Sequence, residues 1–340
     1  MSSPPDPQLD LFGERGPREP SHALGPAPVT EAMRETARHL PAGIYLGTSS
    51  WHFPGWARLV YDRPAEERVL GREGLVAYAQ HPLLRCAGID RTFYTPIPAA
   101  EFRRYAEQVP ASFRFVVKAP MLCTAAAMRG DLGVGATPNP RFLDAAFAAE
   151  HFVEPCLEGL GDKAGALIFQ FPPIGREYTR RPEAFAERLA HFLNALPRGP
   201  VYAIELRDPG LIGAAYLQAL ESAGAYHCLG LHPRMPGASE QARLAGGAHA
   251  GPLVVRWNLH QGLGYEQAKA RYQPFSQLVD EDILNRVALA RLCLQAAARG
   301  KPAFVVANNK AEGSAPLTLF KLAEQIVAAA AHAAAQARSG

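Results

Sequence analysis

Eight times along this chain a short apolar run of strand length gives way to a longer stretch of helical periodicity, and that alternation restricts the fold more than any other feature. The strand-length runs are 44–47, 86–90, 113–118, 166–170, 201–207, 226–231, 253–257 and 303–308. Helical patterns follow near 73–80, 99–108, 141–157, 182–196, 212–223, 280–299 and 316–335, and the sixth connection, around 239–244, is the weak one. Strands that read as near-continuous apolar runs are buried on both faces, the habit of parallel sheets covered by crossover helices. A chain of 340 residues, 48% hydrophobic, has room for two ordinary domains or one barrel. Eight strand-then-helix units favour the second, an α/β fold of the TIM-type (β/α)8 parallel barrel. A doubly wound sheet is the alternative. Dinucleotide binding there requires a Gly-x-Gly-x-x-Gly turn after the first strand, whereas the chain reads Gly47-Thr48-Ser49-Ser50-Trp51-His52.

The barrel accounts for 42–327. Ahead of it, within 29–41, Thr30 is placed to cap a preface helix with Glu31 in its first turn and Arg34 and Arg38 later. Behind it, 328–340 is an Ala-rich extension. Residues 1–28 carry Pro4, Pro5, Pro7, Pro17, Pro20, Pro26 and Pro28 among scattered charges, a composition that buries too little surface to offset ordering, so a disordered tail is expected. Leu9, Leu11 and Phe12 stand out from it. The pentapeptide Gln8-Leu9-Asp10-Leu11-Phe12 resembles the bacterial sliding-clamp-binding motif of replication and repair proteins. That resemblance implies a partner, the clamp of DNA polymerase, with Leu11 and Phe12 entering an apolar pocket and Gln8 anchoring the extended backbone.

A net charge of +3 gives no strong basic field for non-specific nucleic-acid affinity. Cys86, Cys123, Cys156, Cys228 and Cys293 form no Cys-x-x-Cys pair, which argues against a zinc ribbon and a disulfide framework and for a reducing, cytoplasmic setting. No leader pattern or membrane-length apolar stretch is legible.

Gly47-Thr48-Ser49-Ser50-Trp51, Pro54-Gly55-Trp56, Thr92-Phe93-Tyr94, the run from Phe113 through Lys118 to Pro120, Phe169-Gln170-Phe171-Pro172-Pro173, Glu205-Leu206-Arg207 and Asn308-Asn309 occur in one order. As a set they resemble the signature of the YecE-like family, domain of unknown function 72, over roughly 44–326. The resemblance implies a TIM-like barrel and no established activity. The chain departs from that pattern in three places. Gly88 stands where the family has a glutamate, with Asp90 two residues on; Thr124-Ala125 replaces a Thr-His pair; and Asp208 follows Arg207 where a histidine is usual.

In a parallel barrel the active surface is the C-terminal rim of the strands, and residues two apart share a face. Placing the polar strand residues in the lumen brings together Lys118, Gln170, Glu205, Arg207, Arg256, Asn258 and Asn308, with Thr92 and Tyr94 beyond the second strand and Trp51 beyond the first. Lys118, Arg207 and Arg256 against Glu205 make an anionic guest, phosphate or carboxylate, the natural one. A metal cluster and a cofactor are not expected, because one secure carboxylate among cations is a poor ligand set. A metal-independent mechanism would use Glu205 as general base or acid, Lys118 as charge stabiliser or amine nucleophile, and Tyr94 as hydroxyl donor, with Arg207 and Arg256 as the anion clamp. Each residue also has a structural reading. Glu205 and Arg207 fit a buried ion pair, Lys118 a partner of Glu205 or Asp90, Tyr94 and Trp51 rim packing, and Asn308 a turn.

Three functions stay open at this point. One is a nucleic-acid-processing enzyme recruited by the clamp, possible chemistry including hydrolysis or lyase cleavage of an anionic substrate. The second is a metabolic enzyme acting on a small phosphorylated or carboxylated compound. The third is a catalytically silent, clamp-tethered binding module, suggested by Gly88, Ala125 and Asp208.

Overall fold

The computed structural model describes residues 23–129, 136–246 and 251–339; the clamp-like peptide at 8–12 lies outside them. Eight strands form the centre: β1 (Ile44–Thr48), β2 (Cys86–Ile89), β3 (Arg114–Lys118), β4 (Ala164–Gln170), β5 (Tyr202–Glu205), β6 (Tyr226–Leu231), β7 (Leu253–Trp257) and β8 (Ala303–Ala307). Each pairs in parallel with its neighbours in chain order, and β8 returns to β1, so the sheet closes with no free edge. The expected eight-stranded barrel is the fold.

Period-two alternation sorts the strand residues into two cores. Val116, Ala166, Ile168, Ala203, Cys228, Val254 and Val306 fill the lumen, and the stacked rings of Tyr45 and Phe304, 5.1 Å apart, lie near the strand starts. Their neighbours in sequence, among them Phe115, Val117, Phe169, Ile204 and Val255, point outward to the helices. Phe169 is typical, meeting Phe192 edge-to-face at 5.0 Å and Phe152 at 5.7 Å. Burial of a side chain that size contributes roughly 1.5–3 kcal/mol. The apolar filling ends before the strands do, so the polar residues at their C-terminal ends sit on a packed floor.

Helix signals read from sequence are obeyed locally. The Thr30 hydroxyl accepts from the Met33 N–H at 3.2 Å, capping the helix Glu31–His39. The pattern expected as one helix over 141–157 is instead interrupted. Pro155 lacks the N–H that an α-turn there needs, and the chain widens to a π stretch, Ala149–Val153, just before the helix Glu154–Leu160. Two insertions were not legible: an antiparallel ribbon pairing Ala127–Arg129 with Ala136–Pro138 after β3, and the helix Tyr265–Tyr272 after β7.

The expected tail boundary at 28 needs correction. Within 23–28, Leu24 and Ala27 are buried, the Ala27 N–H donates to the Val60 carbonyl at 2.9 Å, and the Gly25 carbonyl accepts from the Asp62 N–H at 3.0 Å. Two apolar side chains and this backbone pairing offset ordering that composition alone does not predict to be favourable. All five cysteines are free and buried, and among the described residues no helix is long and apolar enough to cross a membrane.

Candidate functional site

Glu205, the last residue of β5, is fully buried at the lumen's polar end. Its Oε2 accepts from Arg256 Nη1 at 3.0 Å and its Oε1 from Asn258 Nδ2 at 2.9 Å, while Arg207 Nη1 makes an ion pair with Oε1. Arg256 continues the chain of charges by pairing its other amino group with Asp90. Arg207, Arg256 and Asn258 from the ends of β5 and β7 thus meet at one carboxylate, Asp90 after β2 joins them through Arg256, and a buried charge with these partners is compensated. Burial pulls the Glu205 carboxyl up, but Arg207, Arg256 and Lys118 pull harder and hold it at about 2. It is an anion at any physiological pH.

Close approach across the lumen explains a glycine here. A Cβ on Gly230 of β6 would lie 2.9 Å from both Glu205 Cγ and Arg207 Nη1, so a side chain at that position would displace the pair. Gly88 of β2 is constrained differently, since a Cβ there would meet the Ser49 backbone at 2.9 Å. The glutamate implied by the resemblance therefore has no room beside this β1 loop. Asp90, two residues on and on the same face, supplies a carboxylate to Arg256 instead. The sequence reading has Asp90 two residues beyond Gly88 and as a partner of Lys118, and period two puts it on the lumen face.

Lys118, at the end of β3, is 9% exposed. Among the described residues it has no ion pair, and its Nζ lies 3.4 Å from the centroid of the Phe93 ring, a cation–π contact. Burial pushes its ammonium down to about 8; Arg256 and Arg207 push the same way, against Asp90 and Glu205. Both carboxylates within its field are engaged by arginines. With Asp90 counted, three cations face two carboxylates, so the cluster's positive excess is smaller than Glu205 alone implied.

The other expected site residues divide. Gln170 ends β4 in register with Glu205 and is buried. Asn308 donates from Nδ2 to Ser49 Oγ at 2.9 Å and accepts the Lys310 N–H at 3.0 Å, which ties β1 to the loop after β8. Thr92 is buried, and its hydroxyl reaches the carbonyls of Ile89 at 3.0 Å and Lys118 at 2.5 Å, joining β2 to β3. Trp51 packs edge-on to Tyr105 at 5.1 Å. Tyr94 is 81% exposed, leans on Phe93 at 5.3 Å and touches none of the charged cluster. Ala125 is buried with its carbonyl held by Asn139 Nδ2 at 2.7 Å, and Asp208 accepts the Ile174 N–H at 2.9 Å. The Asp208 side chain thus holds a loop, whereas the Ala125 contact is through its backbone alone.

Beside the cluster lies a cavity of about 430 Å³, with Trp51, His52, Tyr94 and Tyr105 among its walls and Asp90 on its border. That volume is in the range of small-molecule sites. No group of three or more His, Cys, Asp or Glu among the described residues is arranged to hold a metal ion.

A family profile described as "Protein of unknown function DUF72" matches residues 45–339. Among solved structures the chain is similar to a DUF72 family protein from Enterococcus faecalis V583, at TM-score 0.53 and 17% identity, over 83% of this chain and 95% of that one. It is also similar to one from Thermotoga maritima MSB8, at TM-score 0.52 and 17% identity, over 83% of this chain and 98% of that one. Identities this low bear on the fold alone. No curated protein matches the sequence.

Proposed function

The chain belongs to the family of proteins of unknown function DUF72, and from the chemistry of its barrel mouth we propose that it binds, and acts without a metal on, a small ligand bearing a phosphate or carboxylate. One observation carries this reading: the Lys118 ammonium, buried at the rim, has no counter-ion among the described residues. A buried cation without a partner costs free energy, and an incoming anion removes that cost. Gln170, next to it around the rim, and the Asn258 amide offer hydrogen bonds, while Arg207 and Arg256 are committed first to Glu205 and Asp90. A cavity of about 430 Å³ borders the same cluster at Asp90.

Calorimetric titration with inorganic phosphate and with succinate, on the full chain and on Lys118→Met, tests this. Saturable binding by the first, weakened by salt and lost in the second, is expected. Absence of binding to either anion refutes it.

A second reading concerns location. The Gln8-Leu9-Asp10-Leu11-Phe12 peptide precedes the packed Leu24 by enough chain to reach a partner, and its resemblance to clamp-binding peptides supports tethering of the barrel to a sliding clamp during replication or repair. Titration of the clamp with a peptide spanning 5–15 checks it, and no saturable binding at high micromolar concentration would reject the link.

A further inference from the structure

We propose that Lys118 is an amine nucleophile that forms an imine with an anionic carbonyl compound, either a 2-oxo acid or a phosphorylated ketone. The proposal rests on the anion-site reading above and names its substrate class. Three features of position support it. Lys118 ends β3 at the rim where ligands reach a parallel barrel, and its Nζ lies against the face of Phe93. The groups facing it are Asp90 from the end of β2, Glu205 and Arg207 from β5, and Arg256 from β7, and those two carboxylates are taken by the two arginines. A lysine desolvated beside another cation is the arrangement that frees an amine for attack.

Charge selects the partner. With Lys118 neutral, two arginines balance two carboxylates. A protonated imine restores the unpaired positive charge, and a substrate that brings its own carboxylate or phosphate supplies the counter-ion this cation lacks. A neutral carbonyl compound does not. In the reaction the Nζ lone pair forms the new C–N bond and the carbonyl π pair moves to oxygen. One amine hydrogen and one proton taken from solvent then leave with that oxygen as water, the second hydrogen stays on the nitrogen of the protonated imine, and no oxidant or reductant is consumed. The body of the substrate lies toward the cavity walled by Trp51, Tyr94 and Tyr105, which borders the cluster at Asp90. Burial and Arg256 hold the Lys118 ammonium at about 8, so a substantial share of the amine is neutral near neutral pH.

The test uses the full chain, sodium cyanoborohydride as trap, and pyruvate or dihydroxyacetone phosphate as probes, with methyl pyruvate and dihydroxyacetone as their uncharged counterparts. Peptide mass mapping compares Lys118 with the exposed Lys269 and Lys301 in the same sample. An ordinary exposed lysine is neutral to roughly one part in a thousand at pH 7.5, so Lys118 should be modified at least about tenfold faster even after allowance for a weaker nucleophile. Pyruvate outpacing dihydroxyacetone phosphate assigns the carboxylate form, and the reverse order assigns the phosphate form. The uncharged probes should be slower, the rate should level off above about pH 8, and Lys118→Met should remove the adduct. Even labelling of all lysines, or none at Lys118, overturns the imine. Phosphate binding measured in parallel separates the two claims: binding without labelling rejects only the imine, and the absence of both binding and labelling rejects the anion site as well.

Discussion

Replacing Glu205 by glutamine removes one negative charge from a site that water does not reach. Glu205 is fully buried and is the shared partner of Arg207, Arg256 and Asn258, so the variant leaves Arg207 uncompensated and Arg256 with Asp90 alone. Removing one member of such a pair costs about 3–5 kcal/mol, because the partner charge stays buried. Linkage gives a similar figure. A carboxyl held at about 2 in the folded chain, against an ordinary value of 4.5, contributes about 3 kcal/mol. The folded-state value is depressed, so that stability is present above pH 4.5 and is lost as pH falls toward 2. For roughly 300 ordered residues the unfolding entropy is about 0.6 kcal/mol per degree, and the variant should melt about 5–8 °C lower. Urea unfolding at pH 7 with a thermal scan measures both. The double variant Glu205→Gln with Arg207→Gln removes opposite charges together and should recover part of the loss, a coupling of about 1–3 kcal/mol. A cost below about 1 kcal/mol, or strict additivity in the double variant, would show that the arginines do not depend on this carboxylate.

Lys118→Met exchanges an unpaired buried cation for an apolar chain of similar length and should stabilise the fold by about 1–3 kcal/mol in urea; a loss of stability would contradict the unpaired state. Gly230→Ala should cost about 1–3 kcal/mol by forcing Glu205 and Arg207 apart, and unchanged melting would mean the lumen yields freely. Burial holds His81 and His227 at about 4, below the 6.5 of a free imidazole. The unfolded chain therefore takes up these protons first, so stability falls as pH drops from 6.5 toward 4, by about 2 kcal/mol per histidine at pH 5. Urea midpoints at pH 7 and 5 check this, and His227→Gln should flatten the dependence. Replacing Leu11 and Phe12 by alanine should cost roughly 3–6 kcal/mol of clamp binding and abolish capture while the barrel's melting temperature stays put.

Strand count, parallel direction and the identity of the lumen face were determined by the sequence alone. Parallel strands covered on both sides are apolar along most of their length, so 166–170 or 303–308 reads as a strand once helices flank it. Period two then places Lys118, Glu205, Arg207 and Arg256 on one face without any knowledge of contacts. The partners were decided only in three dimensions. Nothing local says that Arg256 would divide itself between Glu205 and Asp90, residues from strands distant in sequence, or that both carboxylates would thereby be used up and leave Lys118 over Phe93. Nor does composition reveal that Pro26 and Ala27 pair with the backbone at Tyr61 and Val60, or that Gly88 lies too near Ser49 to carry a side chain. Alternation along a strand follows from the geometry of one segment of backbone. Which charges neutralise each other depends on closure of the barrel, which sets the distances between segments that the chain itself keeps far apart.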